Sequence, residues 1–125
     1  MPSSSLNTRQ GFAVALLNAL GAPVTSQNLS AIVSWEIQEG GGFGNRAAFN
    51  PLNTTLRLPG SRTVTRVGVQ AYTSPSQGLQ ATVQTLRNGL YGGILAALRA
   101  GNSAQAVERA VAASPWGTGP FRLVA

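Results

Sequence analysis

A chain of 125 residues is long enough for one hydrophobic core and too short for two ordinary domains, which predicts a single domain over residues 1–125. Nine arginines against three glutamates give a formal net charge of +6, and there is no lysine, aspartate, histidine or cysteine. That excludes an imidazole base, a thiolate, a disulfide frame and zinc, haem or iron–sulfur ligation; no metal or other cofactor is expected, and acid–base chemistry falls to Glu36, Glu39 or Glu108.

Residues 1–6 read as a flexible N-terminus. The apolar stretch that follows is interrupted by Asn18 and has a helical period, so it reads as an amphipathic helix and not as a signal peptide. No stretch approaches the length of a membrane span, and the expectation is a soluble chain without membrane insertion. The first helix is predicted over 8–20, with Asn7 as N-cap, Gly21 as stop, and Phe12, Ala13, Leu16, Leu17 and Leu20 on one face. After Pro23, Thr25 or Ser26 caps a second helix lasting to Glu39, with Leu29, Ile32, Val33 and Ile37 as its apolar stripe. Gly40, Gly41 and Gly42 end it.

From Phe43 to Val69 the helical period disappears. The segment "TTLRLPGSRTVTRVGV" alternates about a central Pro-Gly-Ser, as a hairpin or a long ordered loop does. A helical pattern resumes with Ser74 or Ser76 as cap and Leu79, Val83, Leu86 and Leu90 as the buried face, split in two by glycines. A last helix over 103–113 precedes "SPWGTGPF", and 120–125 form a C-terminal tail. The fold class is α+β, mainly α, with a small β insert after the second helix.

Two of the three glutamates fall in the last turn of the second helix. At about 100° per residue, Glu36 lies in the middle of the apolar stripe and Glu39 at its edge, a turn after Trp35. Desolvation and the negative end of the helix dipole both favour a protonated carboxyl there, the state required of a general acid at a glycosidic bond. The plainer reading of a glutamate in a helix is an exposed or arginine-paired group.

The segments "WEIQEGGGFGNRAAFNPLNTT" and "GVQAYTSPSQGLQATVQTL" resemble the lysozyme-like domains, related to goose-type lysozymes and lytic transglycosylases, of phage and actinobacterial proteins. Glu39-Gly40-Gly41-Gly42 matches their catalytic glutamate at a helix end, and Asn50-Pro51-Leu52-Asn53-Thr54-Thr55 resembles the turn after it. Gly68-Val69-Gln70 with Tyr72 resembles the later cleft segment, and "SPWGTG" the end of the domain. The likeness spans residues 26–119.

It implies helices around a small β-hairpin or loop region, and a peptidoglycan-cleaving bacteriophage glycosidase, of muramidase or lytic transglycosylase type, with Glu39 as its one general acid. Asn53, Thr54, Thr55 and Tyr72 are the implied substrate- or water-positioning groups, although turn closure and packing are their plainer roles. Glu36 and Trp35 would stand behind Glu39, with an arginine as the candidate partner of Glu36. Glutamates at i and i+3 of one helix cannot flank a sugar, and Glu108 reads as an ordinary exposed charge, so a second catalytic carboxylate is not expected. The substrate's N-acetyl group or a held water then completes the reaction.

Trp35 and Trp116 are candidates for sugar stacking, with core anchoring as the alternative. Arg46, Arg57, Arg62 and Arg66 bracket the β region, which suits an anionic polymer such as peptidoglycan. With no helix-turn-helix signature, lysine-rich arm or aromatic-basic RNA-binding motif, nucleic acid is not the expected partner. The alternative function is a non-catalytic virion structural or adaptor protein of the same fold, bound to other phage virion proteins. The expected location is the virion, or the host cytoplasm before release to the cell wall.

Overall fold

In the computed structural model the described residues are 6–40 and 47–124. Helix α1 (Arg9–Leu20) begins where Thr8 takes an extended backbone and its hydroxyl accepts the Gly11 N–H at 3.0 Å. The N-cap is therefore Thr8 and not Asn7. Gly21, at φ 71, closes the helix, and Phe12, Ala13, Leu16, Leu17 and Leu20 are all buried.

Thr25 caps α2 (Ser26–Glu39) through the Asn28 N–H, and Gly40 ends it at φ 67. The buried face of α2 runs through Asn28, Ala31, Ile32, Trp35 and Glu36. Ile37, one step of about 100° past Glu36, is 48 % exposed and does not belong to the stripe.

The β region is smaller than the alternation suggests. Pro59-Gly60-Ser61 belongs to a turn of its own, in which the Ser61 N–H reaches the Leu58 carbonyl at 2.9 Å. The paired residues come after it: β1 (Arg62–Thr63) lies antiparallel to β2 (Gln70–Ala71), with Arg62 opposite Ala71 and Thr63 opposite Gln70. The connection turns at Thr65–Gly68. Two buried amides hold this region together. Asn50 donates to the carbonyls of Thr54 and Gln70 and accepts the Thr54 N–H, while the Gln70 side chain bonds Ser61, Thr63 and the Gly68 carbonyl. Hydrogen bonds from side chain to backbone thus replace the ladder that such short strands cannot supply.

Ser74 caps α3 (Pro75–Leu86), with Pro75 in the first turn, where its missing N–H costs nothing. Gly78 faces the Phe49 carbonyl so closely that a Cβ there would lie 1.7 Å from the oxygen. Helix α3 is thereby seated on the turn that carries Asn50 and Asn53. It stops at Leu86, short of Leu90, which is 62 % exposed; Tyr91 takes the buried position instead. Helices α4 (Gly92–Ala100) and α5 (Ala104–Ala113) follow, and Ser103 caps α5.

Helix α2 packs on α1 and α5, α4 on α5, and α3 on α1. Trp35, Phe12, Leu16, Leu17, Ile32, Leu52, Leu86, Ile94 and Leu98 fill the core. The domain is mainly helical with one small antiparallel pair among the described residues. The C-terminal residues do not trail as a tail: Phe121 is buried, and the Val124 N–H donates to Ser34 Oγ at 2.8 Å, fastening the segment to α2. Among the described residues no helix is long and apolar enough to cross a membrane.

Candidate active site

The last residue of α2 and the turn after Asn50 meet at one point. Asn53 sits at φ 57, a left-handed conformation that asparagine tolerates better than most residues. From there its Nδ2 donates to the Glu39 carbonyl at 2.8 Å and to Glu39 Oε1 at 3.0 Å. One amide both satisfies a carbonyl at the helix end and holds the carboxyl of the same residue. On the other side, Thr118 Oγ1 donates to Glu39 Oε2 at 2.5 Å and receives the Trp35 indole N–H at 3.0 Å.

Glu39 is half-buried and opens onto a cleft of about 370 Å³. Asn53, Thr54, Thr55 and Thr85 line it as polar groups; Val67, Val69, Tyr91, Pro115 and Trp116 supply apolar surface. The aromatic part is built edge to face, with ring centroids 5.0 Å apart for Trp35–Trp116 and 5.3 Å for Tyr91–Trp116. The Trp116 indole N–H is anchored on the Leu52 carbonyl at 3.0 Å. A single carboxyl beside the Trp116 and Tyr91 side chains is an arrangement able to donate a proton to an oxygen of a molecule held against them.

All three glutamates lie among the described residues, and only Glu39 lines the cleft. Glu36 is completely buried, and among the described residues neither of its oxygens has a hydrogen-bond partner. Burial pushes its carboxyl up to about 9, the Arg9 charge offsetting only part of this. Glu36 is thus a protonated core group, without the arginine hydrogen bond expected for it. Glu108 is half-buried and accepts the Phe121 N–H at 3.3 Å, so it ties down the C-terminal segment and is no ordinary exposed charge.

Several expected roles shift. Tyr72 does not reach the cleft: it is buried, its hydroxyl donates to the Leu56 carbonyl at 2.6 Å, and burial pushes the phenol up. Thr54 lines the cleft, yet its hydroxyl is spent. The Thr82 proton goes to the Gly78 carbonyl, so in the 3.2 Å Thr54–Thr82 contact Thr54 is the donor and has no proton left for a water. Thr55 is exposed at the cleft with no such constraint. Trp35 is completely buried and cannot stack on a ligand, whereas Trp116 reaches the cleft surface. Arg57, Arg62 and Arg66 are exposed and do not line the cleft, so it is not a basic channel among the described residues. Gly41, Gly42 and Arg46 lie outside those residues.

Thr118, Tyr91 and Thr85 join the site without having been expected there. A signal for Thr118 was present in its flanking glycines, Gly117 at φ 89 and Gly119 at φ 72, which let the chain bend sharply on both sides of it. Among the described residues no group of three His, Cys, Asp or Glu side chains comes together as a metal site. No protein-family description, curated protein or solved structure matches the chain.

Proposed function

We propose that this chain is a peptidoglycan-cleaving glycosidase of a bacteriophage, of muramidase or lytic transglycosylase type, in which Glu39 is the single general acid. The observation that carries the reading is that Glu39 alone of the three glutamates lines the cleft, held through both oxygens beside an aromatic wall. Glu39 would give its proton to the leaving glycosidic oxygen as the C–O bond breaks and positive charge develops on the sugar ring.

Among the described residues no second carboxylate borders the cleft to form a covalent glycosyl-enzyme. The anomeric carbon is then left to the substrate's own N-acetyl oxygen or to water. In the first case the acetamido oxygen bonds to the anomeric carbon, and the C6 hydroxyl then displaces that oxygen while its proton passes to the Glu39 carboxylate, so that a 1,6-anhydro end results and the acid is restored. In the second, water enters from the face opposite the leaving group and loses its proton to bulk solvent, from which Glu39 is reprotonated, and the end is reducing and inverted. Water has fewer partners than the sequence suggests, because the protons of the Asn53 amide and the Thr54 hydroxyl are engaged. Asn53 Oδ1 and Thr55 are the groups that can still receive it.

A zymogram on actinobacterial cell walls, with Glu39→Gln as the control, tests the proposal. Clearing by the parent and none by the variant is expected. No clearing by either would move the reading to a non-catalytic virion component, and equal clearing would remove Glu39 from the mechanism.

A further inference from the structure

We propose that Thr118 is the positioning residue for the Glu39 carboxyl, so that the C-terminal segment, and not only the α2 end and its following turn, sets the geometry of the acid. The inference rests on the reading of Glu39 as the general acid. An indole nitrogen only donates, so Thr118 Oγ1 must accept from Trp35 and has one proton left. That proton is directed at Glu39 Oε2. On the opposite oxygen, the two protons of the Asn53 amide go to the carbonyl and to Oε1 of the same glutamate. The carboxyl is therefore gripped from two places 65 residues apart in sequence (118 − 53), and rotation about its terminal bond breaks both contacts.

Thr118 does not itself line the cleft. It acts on substrate only through Glu39, and its own position is set elsewhere. Upstream, Trp116 is anchored on the Leu52 carbonyl, within the turn that carries Asn53. Downstream, the Phe121 N–H is held by Glu108 on α5 and the Val124 N–H by Ser34 on α2. The hydroxyl is thus presented by a segment fastened at three points, with a completely buried tryptophan fixing the direction of its proton. A fixed neighbour that locks the rotamer of a catalytic group in this way keeps an acid within bonding reach of a leaving atom.

Thr118→Val keeps the shape and removes the hydroxyl; Thr118→Ser keeps the hydroxyl. Two readouts are followed in the full chain: the ¹³C chemical shifts of the carboxyl carbons, simple in a protein with three glutamates and no aspartate, and the kinetics of wall lysis. Removing a donor from one carboxyl oxygen changes the shielding of its carbon, so the Glu39 carboxyl resonance in Thr118→Val should move from the parent's position. The turnover rate should fall roughly tenfold or more with little change in KM, and Thr118→Ser should recover both. Thr118→Val that keeps the parent's Glu39 resonance and turns over like the parent overturns the proposal, as does a Thr118→Ser variant that behaves like Thr118→Val while remaining folded. If the parent clears no walls, the glycosidase reading fails, and the carboxyl resonance alone still decides whether Thr118 holds the carboxyl.

Discussion

Glu36→Gln is expected to make the protein more stable at mildly alkaline pH, although it replaces a buried residue. The carboxyl of Glu36 is completely buried without a hydrogen-bond partner among the described residues, and burial pushes its pKa up to about 9 from an ordinary value of 4.5. Below 4.5 the group is neutral in both folded and unfolded chains. Between the two values the unfolded chain ionises and the folded one does not, so stability falls as pH rises, and this loss levels off above about 9. The limiting slope is ~1.4 kcal/mol per pH unit, or about 3 kcal/mol lost by pH 7 and about 5 by pH 8. A glutamine of nearly the same shape cannot ionise, but it buries two unmatched N–H donors at a cost of ~1–3 kcal/mol. The stability curves of parent and variant should cross at about pH 6, with the variant ahead by about 2–4 kcal/mol at pH 8. Urea unfolding from pH 5 to 9 measures both curves, with no histidine, cysteine or aspartate to confuse them. Parallel curves would refute the reasoning, since they would mean that Glu36 ionises equally in both states.

Gly78→Ala should destabilise the domain by about 3 kcal/mol, because the new Cβ would meet the Phe49 carbonyl and α3 would have to lift from the turn; an unchanged urea midpoint would contradict this. Asn53→Gly and Asn53→Ala should both lose activity, since each removes the amide that holds Glu39, whereas Ala should cost a further ~1–2 kcal/mol for a side chain forced into the left-handed region. Equal stabilities of the two variants would exclude that strain. Glu39→Gln should lower wall lysis at least about a hundredfold while the protein remains folded, as circular dichroism on the same samples would show.

The helical part of the molecule was legible because its signals are local. Thr25, Ser74 and Ser103 cap helices where a hydroxyl precedes an apolar period, and glycines at φ 71 and φ 67 close the first two. The burial of Glu36 also followed from helical phase alone. The β region was less legible, because Pro59-Gly60 does form a turn but the strand pairing is fixed by Gln70 and Asn50, whose partners lie up to 20 residues away. For the site, Glu39 and the Asn53 turn were visible as motifs. The contribution of Thr118 was not, since it depends on a contact across 79 residues. Tyr72 was misplaced for the same kind of reason: its spacing says where it falls in the chain, and only the packed fold shows its hydroxyl turned to Leu56.

The claim that one carboxyl carries the reaction is tested most directly by mass spectrometry and stereochemical analysis of peptidoglycan digested by the parent and by Glu39→Gln. The account predicts soluble saccharide fragments from the parent, ending either in 1,6-anhydro-muramyl groups or in inverted reducing ends, and none above background from the variant. Retained configuration at a hydrolysed end together with a covalent sugar adduct on any residue would contradict it, as would fragments released equally by the variant.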